Sequence, residues 1–142
     1  MSADSCSDKN IFCEQLNLFL VKRFKYKTNP ASCSPLNVTV DASRKKFDLY
    51  FRIFEEEDNE KFWGGKAIVI SRIGFQKTRQ GNGSALLDFV VNFAKEHNYE
   101  AIGIEDANTP SIKAFAEKYG FNQIGETRNY TIPVNRLLAP KT

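Results

Sequence analysis

A chain of 142 residues, with 42% hydrophobic and 13% aromatic side chains, has the size and apolar content for one domain with a buried core, which excludes a disordered protein. Its net charge of +3 is too mild for a nucleic-acid binder, where a basic stripe dominates one face. The basic residues fall in short clusters, Lys22/Arg23/Lys25/Lys27 and Arg44/Lys45/Lys46, which read as solvated surface.

Residues 1–9 are polar and acidic where a signal peptide needs a basic and then an apolar run, so they read as a disordered leader. No stretch is apolar enough to span a bilayer, and the expectation is a cytoplasmic protein with no membrane partner. Cys6, Cys13 and Cys33 are odd in number and lack metal-ligand spacing, and His97 is the only histidine. Free thiols in a reducing compartment, and no metal, are expected.

One domain is expected over residues 10–135, followed by a tail, 136–142. Phe12, Leu16, Phe19, Leu20 and Phe24 recur at spacings of three and four, predicting a helix over residues 10–25 capped by Ser7 or Asp8. "TNPASCSP" then reads as a loop. Alternation of Leu36, Val38 and Val40, then Phe47, Leu49, Phe51 and Ile53, then a β-branched run from Lys66 to Phe75, predicts three antiparallel strands. The acidic run Glu55–Glu60 is a hairpin tip, with Phe62 and Trp63 beside it covering the core, lining a binding site or making a protein contact.

A helix over residues 83–97, a strand over 99–106, a helix over 110–119 and one strand over 121–133 complete the series. A strand, a crossover helix and a strand imply one parallel pair, so the fold class is α+β: an antiparallel meander followed by a β-α-β crossover in one mixed sheet.

"RQGNGSALL" places Gly81 and Gly83 at the start of an amphipathic helix, where unpaired amides and the helix dipole suit a diphosphate. An ordinary helix entry explains the glycines equally well at this point. A Walker loop is excluded because no Lys follows Gly83, and a Rossmann fingerprint lacks its third small residue and its acidic ribose partner.

Gln80–Gly81–Asn82–Gly83–Ser84–Ala85, followed by "LLDFV", resembles the Gln/Arg-x-x-Gly-x-Gly/Ala loop of the GNAT superfamily of N-acetyltransferases. Asn108, Ser111 and "AEKYGF" (Ala116–Phe121) resemble that family's second motif, and the likeness extends roughly from Val38 to Pro133. It implies a GNAT-like fold with splayed central strands and acetyl-CoA as co-substrate. Backbone amides from Gly81 to Ala85 would hold the pyrophosphate, Gln80 would stand at the loop mouth, and Ile73, Gly74 and Phe75 would pair with the pantetheine arm. Asn108 would contact that arm or fix the loop after the second parallel strand, the helix from Ser111 would flank it, and Arg79 and Lys77 would meet the cofactor's phosphates.

The family's usual chemistry is only partly present. Ala116 stands where many members have a tyrosine that protonates the leaving sulfur, and Val69 where some carry a mid-strand Glu. Glu105 and Asp106 at the end of a parallel strand are the substitute bases, with Ser71 a weaker choice and Tyr119 the substitute acid. His97, at a helix end, reads as structural.

The expected function is transfer of an acetyl group to a primary amine of a small molecule or a protein. The alternatives are a non-catalytic CoA-binding or interaction module and a nucleic-acid-associated regulator using the Lys22–Lys27 cluster. The acceptor is not named by any motif, and the expected lack of a further strand after Pro133 raises a homodimer as a further expectation.

Overall fold

The computed structural model describes residues 7–55, 60–77 and 80–136; Met1–Cys6, most of the acidic run, Thr78–Arg79 and the end of the tail lie outside this description. Helix α1, Asp8–Phe24, begins inside the expected leader because the Ser7 side chain caps it, accepting from the Asn10 amide. Phe12, Leu16 and Leu20 form its fully buried stripe, and Lys25 closes it in the left-handed conformation at φ 64°.

Next comes β1, Ala31–Cys33, where a loop was expected. The reason lies on α1. The buried Asn17 carboxamide exchanges two hydrogen bonds with the Ala31 backbone, at 2.6 and 3.1 Å, and so occupies groups that a sequence reading leaves unpaired. β2, Thr39–Arg44, starts three residues later than the alternation of Leu36, Val38 and Val40 suggests. Asn37 Oδ1 accepts from both the amide and the hydroxyl of Thr39, a local turn that fixes the strand start and leaves Leu36 exposed.

β3, Phe47–Phe54, and β4, Ala67–Phe75, complete the expected meander; a one-turn helix, α2 (Glu60–Trp63), interrupts the connection between them. α3, Asn82–Glu96, crosses over to β5, Ala101–Ile104, which runs parallel to β4. α4, Pro110–Lys118, is capped by Thr109. The single strand expected after it is instead a hairpin, β6 (Asn122–Gln123) and β7 (Tyr130–Pro133). Gly125 reverses the chain at φ 56°, and Ile124 donates to the Asn129 carbonyl across the turn.

The seven-stranded mixed sheet has the order β1-β2-β3-β4-β5-β7-β6. Since β6 and β7 both precede residue 134, the strand thought missing after Pro133 is present, and the premise for a sheet-completing dimer falls away.

The larger core joins Phe12, Leu16 and Leu20 of α1 and Leu86, Val90 and Phe93 of α3 to Leu49, Phe51, Ile68, Ile70, Ile102 and Ile104 of the sheet. The Phe12 ring meets Phe51 and Phe93 edge-on, each at 5.1 Å. On the opposite face Trp63 covers Ala67, Val69 and Ala101. It lies so close over β5 that a Cβ at Gly103 would come within 2.4 Å of its ring. Among the described residues no helix is long and apolar enough to cross a membrane.

Candidate active site

β4 and β5 pair only from Ala67/Ala101 to Ile70/Ile104. The last bond between them runs from the Glu105 amide to the Ile70 carbonyl at 2.9 Å. Beyond it β4 continues to Phe75 bonded to β3 alone, while the chain leaving β5 turns away. Asp106, at φ 55°, makes that turn, with its amide on Asn129 Oδ1 and the Ala107 amide on the Arg128 carbonyl. A bulge sharpens the fork: Tyr50 opposes Arg72 and Phe51 opposes Ile70, leaving Ser71 as the extra residue.

The fork opens into two adjoining cavities. The upper one, about 450 Å³, lies between Ser71 and Ile73 on one side and Glu105, Asn108 and Ser111 on the other. The lower, about 420 Å³, runs along Ile73, Gly74 and Phe75 to Gly81, Gly83 and Ser84. Ile73, Ser111 and Ile112 border both, so together they form one cleft from the fork to the start of α3.

At the lower end Gly81 caps α3 in the left-handed conformation, φ 77°, with no side-chain cap. The Ala85 amide already donates to the Gly81 carbonyl at 3.0 Å, which removes it from the set of amides expected to face an anion. Asn82, Gly83 and Ser84 are the first helical residues, whose amides have no partner within the helix. The Asn82 side chain faces inward, accepting from Arg23 Nε at 2.7 Å and donating to the Lys77 carbonyl at 3.3 Å. Glycine at 83 lets α4 close on the turn, since a Cβ there would stand 3.1 Å from the Phe115 ring. Gln80 is exposed, its carbonyl accepting from Arg23 Nη2; Arg79 lies outside the described residues.

Residues 53–121 match the family model described as Acetyltransferase (GNAT) family. The chain carries a GNAT acetyltransferase domain. Solved structures with a similar fold include a GNAT-family acetyltransferase from Staphylococcus aureus Mu50, at 17% identity over 91% of this chain and 94% of that one, TM-score 0.51. A mutant AtaT toxin bound to the C-terminus of the antitoxin AtaR and acetyl-CoA matches at 15% identity over 91% and 80%, TM-score 0.51. The AtaT–AtaR complex bound to DNA matches at 15% identity over 91% and 91%, TM-score 0.50. No curated protein sequence matches the chain significantly.

Within this GNAT fold the residues singled out from the sequence fall into two groups. Glu105 stands at the fork, held on both sides: Ser71 Oγ donates to Oε1 at 2.6 Å, and Arg52 Nη1 pairs with Oε2 at 2.5 Å. Arg52 was not foreseen. It lies on β3 in alternation with Asp48 and Tyr50, a pattern that reads as a solvated face, and no sequence spacing joins it to residue 105.

Asp106 also borders the upper cavity but is exposed and pairs with Arg128 at 3.4 Å. Tyr119 belongs to the lower cavity, where its hydroxyl shares a short hydrogen bond with Ser84 Oγ in the first turn of α3. Ala116 is fully buried, so the family's tyrosine position turns into the core.

Val69 likewise packs beneath Trp63. His97 lies at the C-terminal cap of α3, about 22 Å along the helix from the Gly81 turn, stacked on Phe93. Among the described residues, no three His, Cys, Asp or Glu side chains are grouped so as to hold a metal.

Proposed function

We propose that the protein transfers the acetyl group of acetyl-CoA to a primary amine by direct attack. The observation that carries this reading is the continuous cleft, which joins unpaired amides at a helix start to the exposed edge of a strand at the β4/β5 fork. An acyl-CoA has matching parts: a diphosphate for the amides of Asn82, Gly83 and Ser84, and an amide-bearing arm for the free edge at Ile73, Gly74 and Phe75. The acetyl-CoA present with the similar AtaT fold supports the same choice of donor.

With the thioester at the fork, the neutral amine attacks its carbonyl carbon, the C–N bond forms, and the oxyanion is stabilised by β4 backbone amides. The C–S bond then breaks and the thiolate takes a proton from solvent. Glu105, fixed by Ser71 and Arg52, receives through a water the proton that the attacking nitrogen sheds once the C–N bond has formed, and returns it to solvent. Tyr119, bonded to Ser84, serves donor binding in this scheme.

Thermal-shift titration with acetyl-CoA, followed by thiol release with a panel of amines, tests the proposal. Stabilisation and amine-dependent release are expected. An unchanged melting temperature at millimolar acetyl-CoA would sink the donor reading. Binding without release from any amine would favour a non-catalytic CoA-binding module, the alternative to which the buried Ala116 points.

A further inference from the structure

Two basic clusters that are separate in sequence meet beside the Gly81 turn. The Phe24 ring at the end of α1 packs 5.0 Å from Phe47, and Lys46 Nζ donates to the Phe24 carbonyl at 3.0 Å. Between this corner and the segment leaving β4 lies a third cavity of about 340 Å³. Arg23, Lys25, Lys46 and Lys77 line it, and no carboxylate does. Among the described residues none of the four forms an ion pair.

The wall is fixed rather than a loose set of surface charges. Arg23 donates to Asn82 Oδ1 and to the Gln80 carbonyl, and Asn82, one of the few buried polar residues, donates in turn to the Lys77 carbonyl. Asn82 and Lys77 border the lower cavity of the cleft as well, so the two spaces share a wall. Four like charges around one concavity repel one another, and a dianion relieves that repulsion while accepting their N–H donors.

We propose that this cavity is a phosphate-monoester site, a second anion subsite next to the diphosphate cradle. Arg23, Lys25 and Lys46 lie outside residues 53–121, so the family match does not account for it. The phosphate has two sources of the same chemistry: the ribose phosphate of coenzyme A, in which case the inference rests on the donor reading above, or a phosphate carried by the acceptor.

Calorimetric titration of the wild type and of the K25A/K46Q double variant with coenzyme A, dephospho-coenzyme A and inorganic phosphate decides. Glutamine at 46 keeps a donor for the Phe24 carbonyl, K25A alone provides a milder variant, and thermal melts check that both fold. If the donor supplies the phosphate, coenzyme A binds the wild type at least about tenfold more tightly than its dephospho form, and the double variant binds both alike. If the acceptor supplies it, the two forms bind the wild type alike, and inorganic phosphate still binds the coenzyme-saturated wild type, about tenfold more tightly than the variant.

Equal binding of the two coenzyme forms, together with no phosphate binding to the saturated wild type beyond that of the variant, overturns the proposal. Failure of the donor reading looks different: neither coenzyme form binds, while phosphate titrated into the free protein still tests the cavity.

Discussion

Glu105 and Tyr119 are both candidate reactive groups in the sequence, and the proposed mechanism gives them different work. Both Glu105 carboxylate oxygens are engaged, one by a hydroxyl and one by a guanidinium, at the point where two parallel strands part. Replacing it by Gln keeps the shape and removes the proton acceptor, so Glu105→Gln is expected to lower kcat/KM for the amine by about a hundredfold or more, with acetyl-CoA binding nearly unchanged. Steady-state thiol release and a binding titration measure the two separately.

Tyr119 bonds the side chain of Ser84, whose amide is one of the three proposed to hold the diphosphate. Tyr119→Phe should therefore raise KM for acetyl-CoA by roughly three- to tenfold while kcat stays within about threefold of wild type. A kcat loss near a hundredfold would restore the tyrosine to the role of general acid.

At the level of elements, the departures from the sequence reading have a common cause. β1 forms because Asn17, fourteen residues upstream on α1, supplies both partners to Ala31. Asn17→Ala would leave a buried N–H and a buried C=O unpaired, at a cost of about 2–4 kcal/mol. A urea-denaturation midpoint should report that loss, and amide exchange should accelerate first at Ala31.

The fork has a similar origin. Ser71, a weaker candidate base in the sequence, is the bulge residue where β4 parts from β5, and its hydroxyl donates to Glu105. Gly103 leaves room for the Trp63 ring, which lies where a Cβ would stand.

Across the whole molecule, the connection between α1 and the far end of the sheet carries a pH dependence. Tyr99 is buried beneath the start of α1 and donates to Asp8 Oδ2 at 2.9 Å; burial, then that bond, raises its phenol well above the usual range. Burial, with Cys33 beside it, pushes the Cys13 thiol up to about 12 from 9.0. In both cases the native state keeps a proton that the unfolded chain releases, so this contribution is complete below about pH 9 and is lost as pH rises toward 12.

Urea midpoints measured at pH 7.5 and about pH 10.5 should differ by the order of 1 kcal/mol in stability. Tyr99→Phe and Cys13→Ala should each flatten the slope between the two pH values, whatever they do to stability at neutral pH. A slope unchanged in both variants would refute the assignment.

Much of this protein was legible from the chain because the signals were local. The buried stripe of Phe12, Leu16 and Leu20 follows from helical spacing, the meander from alternation, and the amide-rich turn from Gly81 and Gly83 ahead of an amphipathic run. Those features, with the second motif at Asn108–Phe121, were enough to indicate the family.

The tertiary structure decided everything that depends on residues distant in sequence: the hairpin in place of a final strand, Arg52 and Ser71 on Glu105, Tyr119 on Ser84, and the meeting of Arg23, Lys25, Lys46 and Lys77 around one cavity. Periodicity records which face of an element is apolar. It carries no record of which elements lie side by side, and electrostatic and hydrogen-bond partners are set by that adjacency alone.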